Sequence, residues 1–201
     1  MSDNFVSRAF RGRRADPAIA ALLPPGQHLV TDFPVLSAGP TPHTPLDTWD
    51  LRVSGPLSAR WTWDEFQALP REEFTVDIHC VTKWSKLNTH WTGVSLDTLL
   101  GDIGNDAGYL LAHCDGGYST NLPLEDVLGG KAWIAYEYDG EPLYPEHGGP
   151  ALLVVPHRYF WKSAKWIRRL ELLNDDLPGF WEELGYHNCG DPWQEQRYWG
   201  D

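Results

Sequence analysis

Glycine and proline divide this chain into short segments, and this division constrains its fold more than any other feature. The 201 residues include 19 Gly and 16 Pro, and both residue types interrupt regular elements. Long helices are therefore disfavoured, and short strands joined by turns are expected. The length suits one domain, or one domain with a tail, that buries its core without disulfides.

Alternating apolar residues predict several strands and few helices. In the clearest strand, Phe74, Val76, Ile78 and Cys80 share one face. Further strands are predicted at residues 49–53, 109–114, 133–138, 151–155 and 166–173, and short helices at 62–69, 95–100, 124–128 and 178–184. The elements do not alternate as in a doubly wound sheet, so we predict an α+β, strand-rich mixed fold with short helices.

The chain is expected to consist of three parts. Residues 1–30 form an N-terminal arm, residues 31–190 form the domain, and residues 191–201 form a C-terminal tail packed on the domain. The tail is aromatic, with Trp193, Tyr198 and Trp199, and this composition is what predicts its packing.

Net charge and motif content exclude several functions. A net charge of −12 argues against nucleic-acid and acidic-membrane partners, which require a basic face. No segment has the length of a membrane helix, and three cysteines do not suggest a disulfide framework, so we expect a cytoplasmic protein. The sequence contains no Gly-x-Gly-x-x-Gly, no Walker loop and no Cys-x-x-Cys-His, which gives no support for a nucleotide-dependent enzyme or an attached haem.

Three groupings of histidine and cysteine raise the possibility of a zinc site: His79-Cys80, His113-Cys114 and His187-x-Cys189. Adjacent strand residues point to opposite faces, so the first two pairs cannot easily share an ion, and the spacings differ from those of structural zinc sites. Zinc therefore remains a minor alternative. For Cys114 and Cys189, small buried residues without chemistry are the simplest interpretation.

Cys80 stands out because it ends a buried strand and precedes polar residues. Binding residues collect in loops at strand ends, and we expect Lys83 to lower the pKa of the thiol and favour the thiolate. The thiolate is the form that binds soft metals. A buried inert cysteine would be the alternative if this segment stood alone.

Several motifs, taken in order, resemble the molybdopterin-binding domain of the sulfite oxidase family, which includes the molybdenum subunit of a bacterial methionine sulfoxide reductase. The resemblance spans roughly residues 30 to 190. The matching motifs are Cys80-Val81-x-x-Trp84-Ser85, Trp91-x-Gly93-Val94-x-Leu96, Ala135-Tyr136-Glu137-x-x-Gly140, His147-Gly148-x-Pro150, Val154-Val155-Pro156, Ser163-Ala164-Lys165-Trp166 and Trp181-x4-Tyr186.

The resemblance implies a sulfite oxidase-type fold and a molybdenum–molybdopterin cofactor. Cys80 would be the metal ligand. Lys165, with Arg158 or Lys162 close by, would supply the cations that bind the cofactor phosphate. Backbone N–H groups at Ser163 and Ala164 would donate to the same phosphate. The residues implied in cofactor binding are Phe33, Val35, Cys80, Asp115, His147, Arg158, Lys162, Ser163, Ala164 and Lys165. Simpler roles remain open for these residues. The basic side chains could form a solvated face, His147 and Asp115 could be turn residues, and Tyr186 could pack on Trp181.

The implied activity is that of an oxidoreductase performing two-electron oxygen-atom transfer on a small substrate, with Cys80, Tyr186 and Lys83 as catalytic candidates. Phe33 is not followed by the arginine of sulfite oxidases, and Leu152 stands where relatives carry another arginine, which favours a sulfoxide or N-oxide over sulfite. A separate electron-transfer partner is implied. The alternative is a non-catalytic cofactor-binding subunit or carrier in a larger redox assembly.

Overall fold

The fold, described from a computed structural model over residues 17–101 and 107–201, is built mainly from short strands. The strands are β1 (His28–Leu29), β2 (Asp50–Ser54), β3 (Ala59–Thr62), β4 (Glu72–His79), β5 (Trp84–Ser95), β6 (Tyr109–Cys114), β7 (Ser119–Pro123), β8 (Trp133–Tyr138), β9 (Glu141–Pro142), β10 (Leu152–Val154) and β11 (Ile167–Leu173). The α-helices are α1 (Pro17–Ala20), α2 (Trp63–Gln67), α3 (Leu96–Leu100) and α4 (Phe180–Glu183).

The strands form two sheets. The first has the order β1-β5-β8-β10, with β4 paired to β5 and β9 paired to β8. The second has the order β3-β2-β11-β6-β7, in which β11 runs parallel to β2 and antiparallel to β6. This confirms the predicted strand-rich α+β fold with short helices. Among the described residues, no helix is long and apolar enough to cross a membrane.

Two apolar clusters form the core. The larger cluster contains residues of both sheets and of the helices α2 and α3. Leu51, Phe66 and Leu170 belong to it, and none of them is exposed. The smaller is formed around one face of β4 and β5 and contains Ile78, Cys80 and Trp84. Cys80 thus lies among apolar side chains, on the same face as Ile78, as the alternation in β4 predicts.

Most predicted elements are confirmed, but three of the longer strands were missed. The predicted capping box at α2 is present, with the Thr62 hydroxyl accepting from Glu65 N–H and the Glu65 carboxylate accepting from Thr62 N–H. The strands β5 and β7 were missed because their sequences do not alternate cleanly, and β3, which does alternate, because its four residues are too few to establish a pattern. β5 becomes a strand because it pairs with both β4 and β8, and the Thr89 hydroxyl donates to Val76 O across the β4–β5 pairing.

The last residues of the chain contact its N-terminal region through polar groups. The guanidinium of Arg197 is mostly buried and donates to Pro25 O at 3.2 Å, and Tyr198 pairs with Tyr186 through a backbone bridge. The aromatic side chains of Trp193, Tyr198 and Trp199 are exposed. Residues 1–16 of the arm, including Arg8, Arg11, Arg13 and Arg14, lie outside the described residues.

Gly93 allows β5 and β8 to approach closely at an irregularity in their register. A Cβ atom at this position would lie 2.5 Å from Ile134 O and 2.8 Å from Ala135 Cα. We expect Gly93→Ala to lower the free energy of unfolding by about 1–3 kcal/mol through overpacking. Urea denaturation measures this, with Gly39→Ala as the control because a Cβ atom there would meet no atom of the described residues within 4 Å. Equal stabilities for the two variants would contradict the prediction.

Candidate functional site

A cavity of about 370 Å³ connects Cys80 with Lys165. Its volume falls in the range of small-molecule sites. Apolar and aromatic side chains form most of its wall, together with a few polar groups. The lining residues are Pro34, Leu36, Ser37, Ala38, Gly39, Pro40, Cys80, Val81, Thr82, Trp84, Asp115, Gly116, Tyr118, Phe160, Trp161, Ser163, Lys165, Trp166, Phe180, Trp181 and Tyr186.

A tight turn between β4 and β5 positions Cys80 at the cavity wall. Cys80 N–H donates to Trp84 O at 2.8 Å, and Lys83 N–H donates to Cys80 O at 3.0 Å. Lys83 adopts a φ of 73° to close this turn, and its side chain is exposed. The turn therefore directs Cys80 inward and Lys83 outward, and Lys83 does not line the cavity.

Burial raises the pKa of the Cys80 thiol, and hydrogen bonding and a nearby cation partly oppose this effect. The Thr82 hydroxyl donates to Cys80 Sγ at 3.2 Å, and the opposing cation is Lys165. The prediction that Lys83 lowers this pKa is therefore wrong. An apolar surrounding that disfavours the free thiolate makes a positively charged ligand the natural partner of this sulfur.

Lys165 is the basic residue that faces the cavity. Its ammonium donates to Leu36 O at 2.9 Å and to Glu146 O at 2.8 Å, so at most one of its three donors is left for a ligand. Burial lowers its pKa to about 8, and the neighbouring Cys80 and Glu146 work in the opposite direction. A cation held in a half-buried wall is suited to bind an anionic group.

The other predicted phosphate ligands are directed elsewhere. The Arg158 guanidinium makes two hydrogen bonds to Asp126, at 2.8 and 2.9 Å. The fully buried Lys162 ammonium donates to Asn121 at 2.9 Å and pairs with Glu182 at 2.7 Å. Their predicted role as cations for a phosphate therefore finds no support in the geometry.

Two backbone N–H groups, those of Ser163 and Ala164, were predicted to donate to the phosphate, and their surroundings differ. Ser163 N–H already donates to Phe160 O at 3.1 Å, and the Ser163 hydroxyl accepts from Val155 N–H, so this backbone group is not available to a ligand. Ala164 is fully buried beside Lys165. Of the three predicted cations Arg158, Lys162 and Lys165, the structure therefore directs only Lys165 toward the cavity.

Two buried nitrogens near Cys80 and Lys165 have no hydrogen-bond partner among the described residues. They are Trp84 Nε1 and His147 Nδ1. Trp84 lines the cavity, and the His147 ring stacks on Phe33 with centroids 4.6 Å apart. Buried polar groups are nearly always paired in folded proteins, so the Trp84 nitrogen at the cavity wall is a donor available to a ligand, whereas His147 does not itself line the cavity.

Asp115 and Tyr186 occupy other parts of the wall. Asp115 accepts from the Thr44 hydroxyl at 2.6 Å and from Arg168 at 3.2 Å, so its carboxylate is held in place. Tyr186 packs against Trp161 and Trp181, with ring centroids 5.1 and 4.8 Å away. Burial raises the pKa of Tyr186, which keeps the phenol protonated as a donor. The side chain of Val35 is exposed.

Sequence reasoning missed several wall residues. Tyr118, Phe160 and Phe180 come from separate segments, and nothing in their local sequence predicts that they meet. Thr82 had a detectable signal, since a hydroxyl two residues after a candidate ligand is well placed to donate to it. Within residues 17–101 and 107–201, no group of three or more His, Cys, Asp or Glu side chains is placed to hold a metal ion, which leaves the zinc alternative without a ligand set.

Comparison with known proteins identifies relatives over most of the chain. Residues 38–181 match the family model for the oxidoreductase molybdopterin binding domain. An uncharacterized oxidoreductase of Bacillus subtilis, YuiH, is 45% identical over 184 residues, covering 89% of this chain and 93% of that protein. A putative protein-methionine-sulfoxide reductase subunit of Azospira oryzae is 33% identical, covering 70% of this chain and 55% of that protein.

More distant relatives are longer than this chain. Rat mitochondrial sulfite oxidase is 26% identical over 180 residues, which cover 73% of this chain and 33% of that enzyme. The fold resembles the sulfane dehydrogenase SoxCD of Paracoccus pantotrophus with a TM-score of 0.61 and 20% identity, covering 88% of this chain and 58% of that one. Apart from YuiH, the chain thus spans between 33% and 58% of the length of these proteins.

The lowered pKa of Lys165 predicts pH-dependent anion binding. The ammonium is charged below a pH of about 8 and becomes neutral above it, so binding of inorganic phosphate to the cofactor-free protein should weaken as the pH rises from 7 to 9. Isothermal titration calorimetry measures this. Lys165→Arg should retain binding at pH 9, because arginine stays protonated. Wild-type binding that is constant over this range would contradict the assignment.

Proposed function

The chain belongs to the family of oxidoreductase molybdopterin-binding domains, and we propose that the cavity between Cys80 and Lys165 holds molybdenum–molybdopterin for oxygen-atom transfer on a small substrate. The observation that carries this proposal is the cavity itself, which joins a buried thiol to a half-buried ammonium. When bound, the cofactor supplies two-electron redox chemistry at its metal.

The residues of the cavity fit this cofactor. The Cys80 thiolate is a soft ligand of the kind that soft metal centres prefer. Lys165 provides the positive charge for the cofactor phosphate. Two of the unpartnered buried nitrogens, Trp84 Nε1 and His147 Nδ1, can form hydrogen bonds to the organic part of the cofactor.

The wall favours a neutral substrate with an acceptor oxygen. Lys165 is the one Lys or Arg among the described lining residues, and its ammonium is already engaged by two carbonyl groups. Little positive charge is left for a dianion such as sulfite. The protonated phenol of Tyr186 can donate to the oxygen of a sulfoxide or N-oxide, while the aromatic wall excludes water around it.

A separate electron-transfer partner completes this proposal, because each turnover moves two electrons to or from the metal and a relative at 33% identity is named as a reductase subunit. A reducing, cytoplasmic compartment is part of the same proposal, since three cysteines, an odd number, do not suggest a disulfide framework.

The test of this function is the metal content of matched cysteine variants. Cys80→Ser should lose most of its molybdenum, because a hydroxyl is a poor substitute for a soft thiolate ligand. Cys114→Ser is the control, since Cys114 is also buried at the end of a strand but does not line the cavity. Metal analysis and pterin fluorescence of protein from a cofactor-producing host measure the outcome. Full molybdenum content and an unchanged spectrum in Cys80→Ser would overturn the assignment.

Trp84→Phe separates cofactor binding from stability. Loss of a hydrogen bond to the cofactor should weaken its retention roughly three- to tenfold. The cofactor-free protein should lose less stability than Trp91→Phe does, because both changes remove core volume but only the latter also breaks a hydrogen bond within the protein. Trp91→Phe is the control. Trp91 lies in the same apolar cluster, but its Nε1 already donates to Thr89 Oγ1 at 2.8 Å.

Cofactor loss during gel filtration and thermal unfolding of both forms measure these effects. Trp91→Phe should destabilise the loaded and unloaded protein equally, without a specific effect on retention. If Trp84→Phe retains cofactor like the wild type, Trp84 Nε1 does not contact it.

A further inference from the structure

Near the end of the chain, four large apolar side chains are exposed, and Trp199 N–H donates to Gly185 O, next to Leu184. We call Leu184, Trp193, Tyr198 and Trp199 the tail surface. Their exposed fractions are 64%, 54%, 53% and 88%. Exposed apolar patches of this kind are characteristic of interaction sites rather than of ordinary protein surface, and aromatic residues are enriched at such sites.

The tail surface lies against two residues connected with the cavity. The Trp193 ring contacts the ring of His79 in an edge-on arrangement, with centroids 6.3 Å apart, and His79 immediately precedes Cys80. The Tyr198 ring contacts that of Tyr186, with centroids 5.4 Å apart, and Tyr186 lines the cavity. His79 and Cys80 point to opposite faces at the end of β4, so it is the contact between Tyr198 and Tyr186 that brings a molecule on the tail surface next to a side chain of the cavity wall.

The surroundings of the tail surface are acidic. Residues 175–201 contain seven Asp or Glu and a single Arg. Four of these acids are exposed, namely Asp175, Glu183, Glu195 and Asp201, whereas the Glu182 side chain is buried and pairs with Lys162. That one base, Arg197, is largely buried and pairs with Glu195 at 2.8 Å, so it contributes little positive charge to the surface. Glu183, next to Leu184, is exposed. An acidic rim around exposed aromatic rings complements a partner whose own surface is basic.

We propose that the tail surface docks a soluble electron-carrier protein with a basic face. This inference rests on the proposed function, which needs two electrons per turnover from or to a separate protein. Each encounter moves one electron, so that the carrier gains what the site loses, or the reverse, and two encounters complete one cycle. A second copy of this chain would present the same acidic rim, and like charges facing each other oppose that pairing.

Binding of a basic carrier tests the surface without depending on substrate. The probe is horse-heart cytochrome c, titrated into the cofactor-loaded protein at low ionic strength and followed by calorimetry. Trp193→Ala and Glu183→Gln should each weaken binding, the former about tenfold as expected for a central aromatic contact, and added salt should weaken wild-type binding. Tyr144→Ala removes an exposed aromatic ring outside the tail surface and should leave binding unchanged.

Electron transfer provides a second measurement. After chemical reduction of the loaded protein, stopped-flow spectroscopy follows the reduction of ferric cytochrome c, two equivalents per protein. Trp193→Ala should slow this reaction about as much as it weakens binding, whereas oxidation by ferricyanide, a small ion that needs no docking site, should keep its wild-type rate.

The outcomes separate the two proposals. If neither oxidant takes electrons, the proposed function fails. If ferricyanide reacts but the tail variants bind cytochrome c like the wild type, or if Tyr144→Ala weakens binding equally, the tail surface is not a docking site for a basic carrier. A wild-type dimer in gel filtration that becomes a monomer in Trp199→Ala would assign the surface to self-association and also overturn the proposal.

Discussion

The rest of the site depends on the two backbone hydrogen bonds that close the turn around Cys80. Cys80 N–H donates to Trp84 O, and Lys83 N–H donates to Cys80 O. Beyond the turn, β5 is fixed by pairing with β4 and β8, so the sulfur cannot shift without disturbing the first sheet. The same turn brings Thr82 and Trp84 to the cavity wall beside Cys80. A precisely held ligand is what a metal site on a rigid element requires.

The electrostatics of the cavity favour a ligand that carries both signs of charge. Burial raises the pKa of Cys80 and lowers that of Lys165, and in each case the other residue acts against the shift. A cation at the sulfur and an anion at the ammonium would restore the charged form of both groups. A metal with an organic phosphate tail provides this combination, which neither a simple metal ion nor a simple phosphate does.

Much of the fold could be predicted from sequence because local patterns determine it. The strands β4, β6 and β8 and the cap at Thr62 follow from alternation and spacing, and Cys80 follows from its motif. The remaining features depend on tertiary contacts. β5 is polar along much of its length and is a strand because it has neighbours on both sides. Distance along the sequence also predicted the wrong cation beside Cys80. Lys83 is three residues away but is exposed, whereas Lys165, far along the chain, is the lysine whose charge acts to lower the pKa of the thiol.

The basic residues Arg158, Lys162 and Lys165, which precede β11, show why charge alone does not identify a residue that binds phosphate. Lys162 does not serve the cavity as a phosphate ligand, yet it shapes the cavity wall. The four residues of α4 are too few to be stable as an isolated helix, and Glu182 anchors them by accepting from Lys162, Thr120 and Trp161. This anchored helix carries Phe180 and Trp181 to the cavity, and Tyr186 packs on Trp181. One lysine of the cluster therefore holds the aromatic side of the cavity in place, while Lys165 faces the ligand.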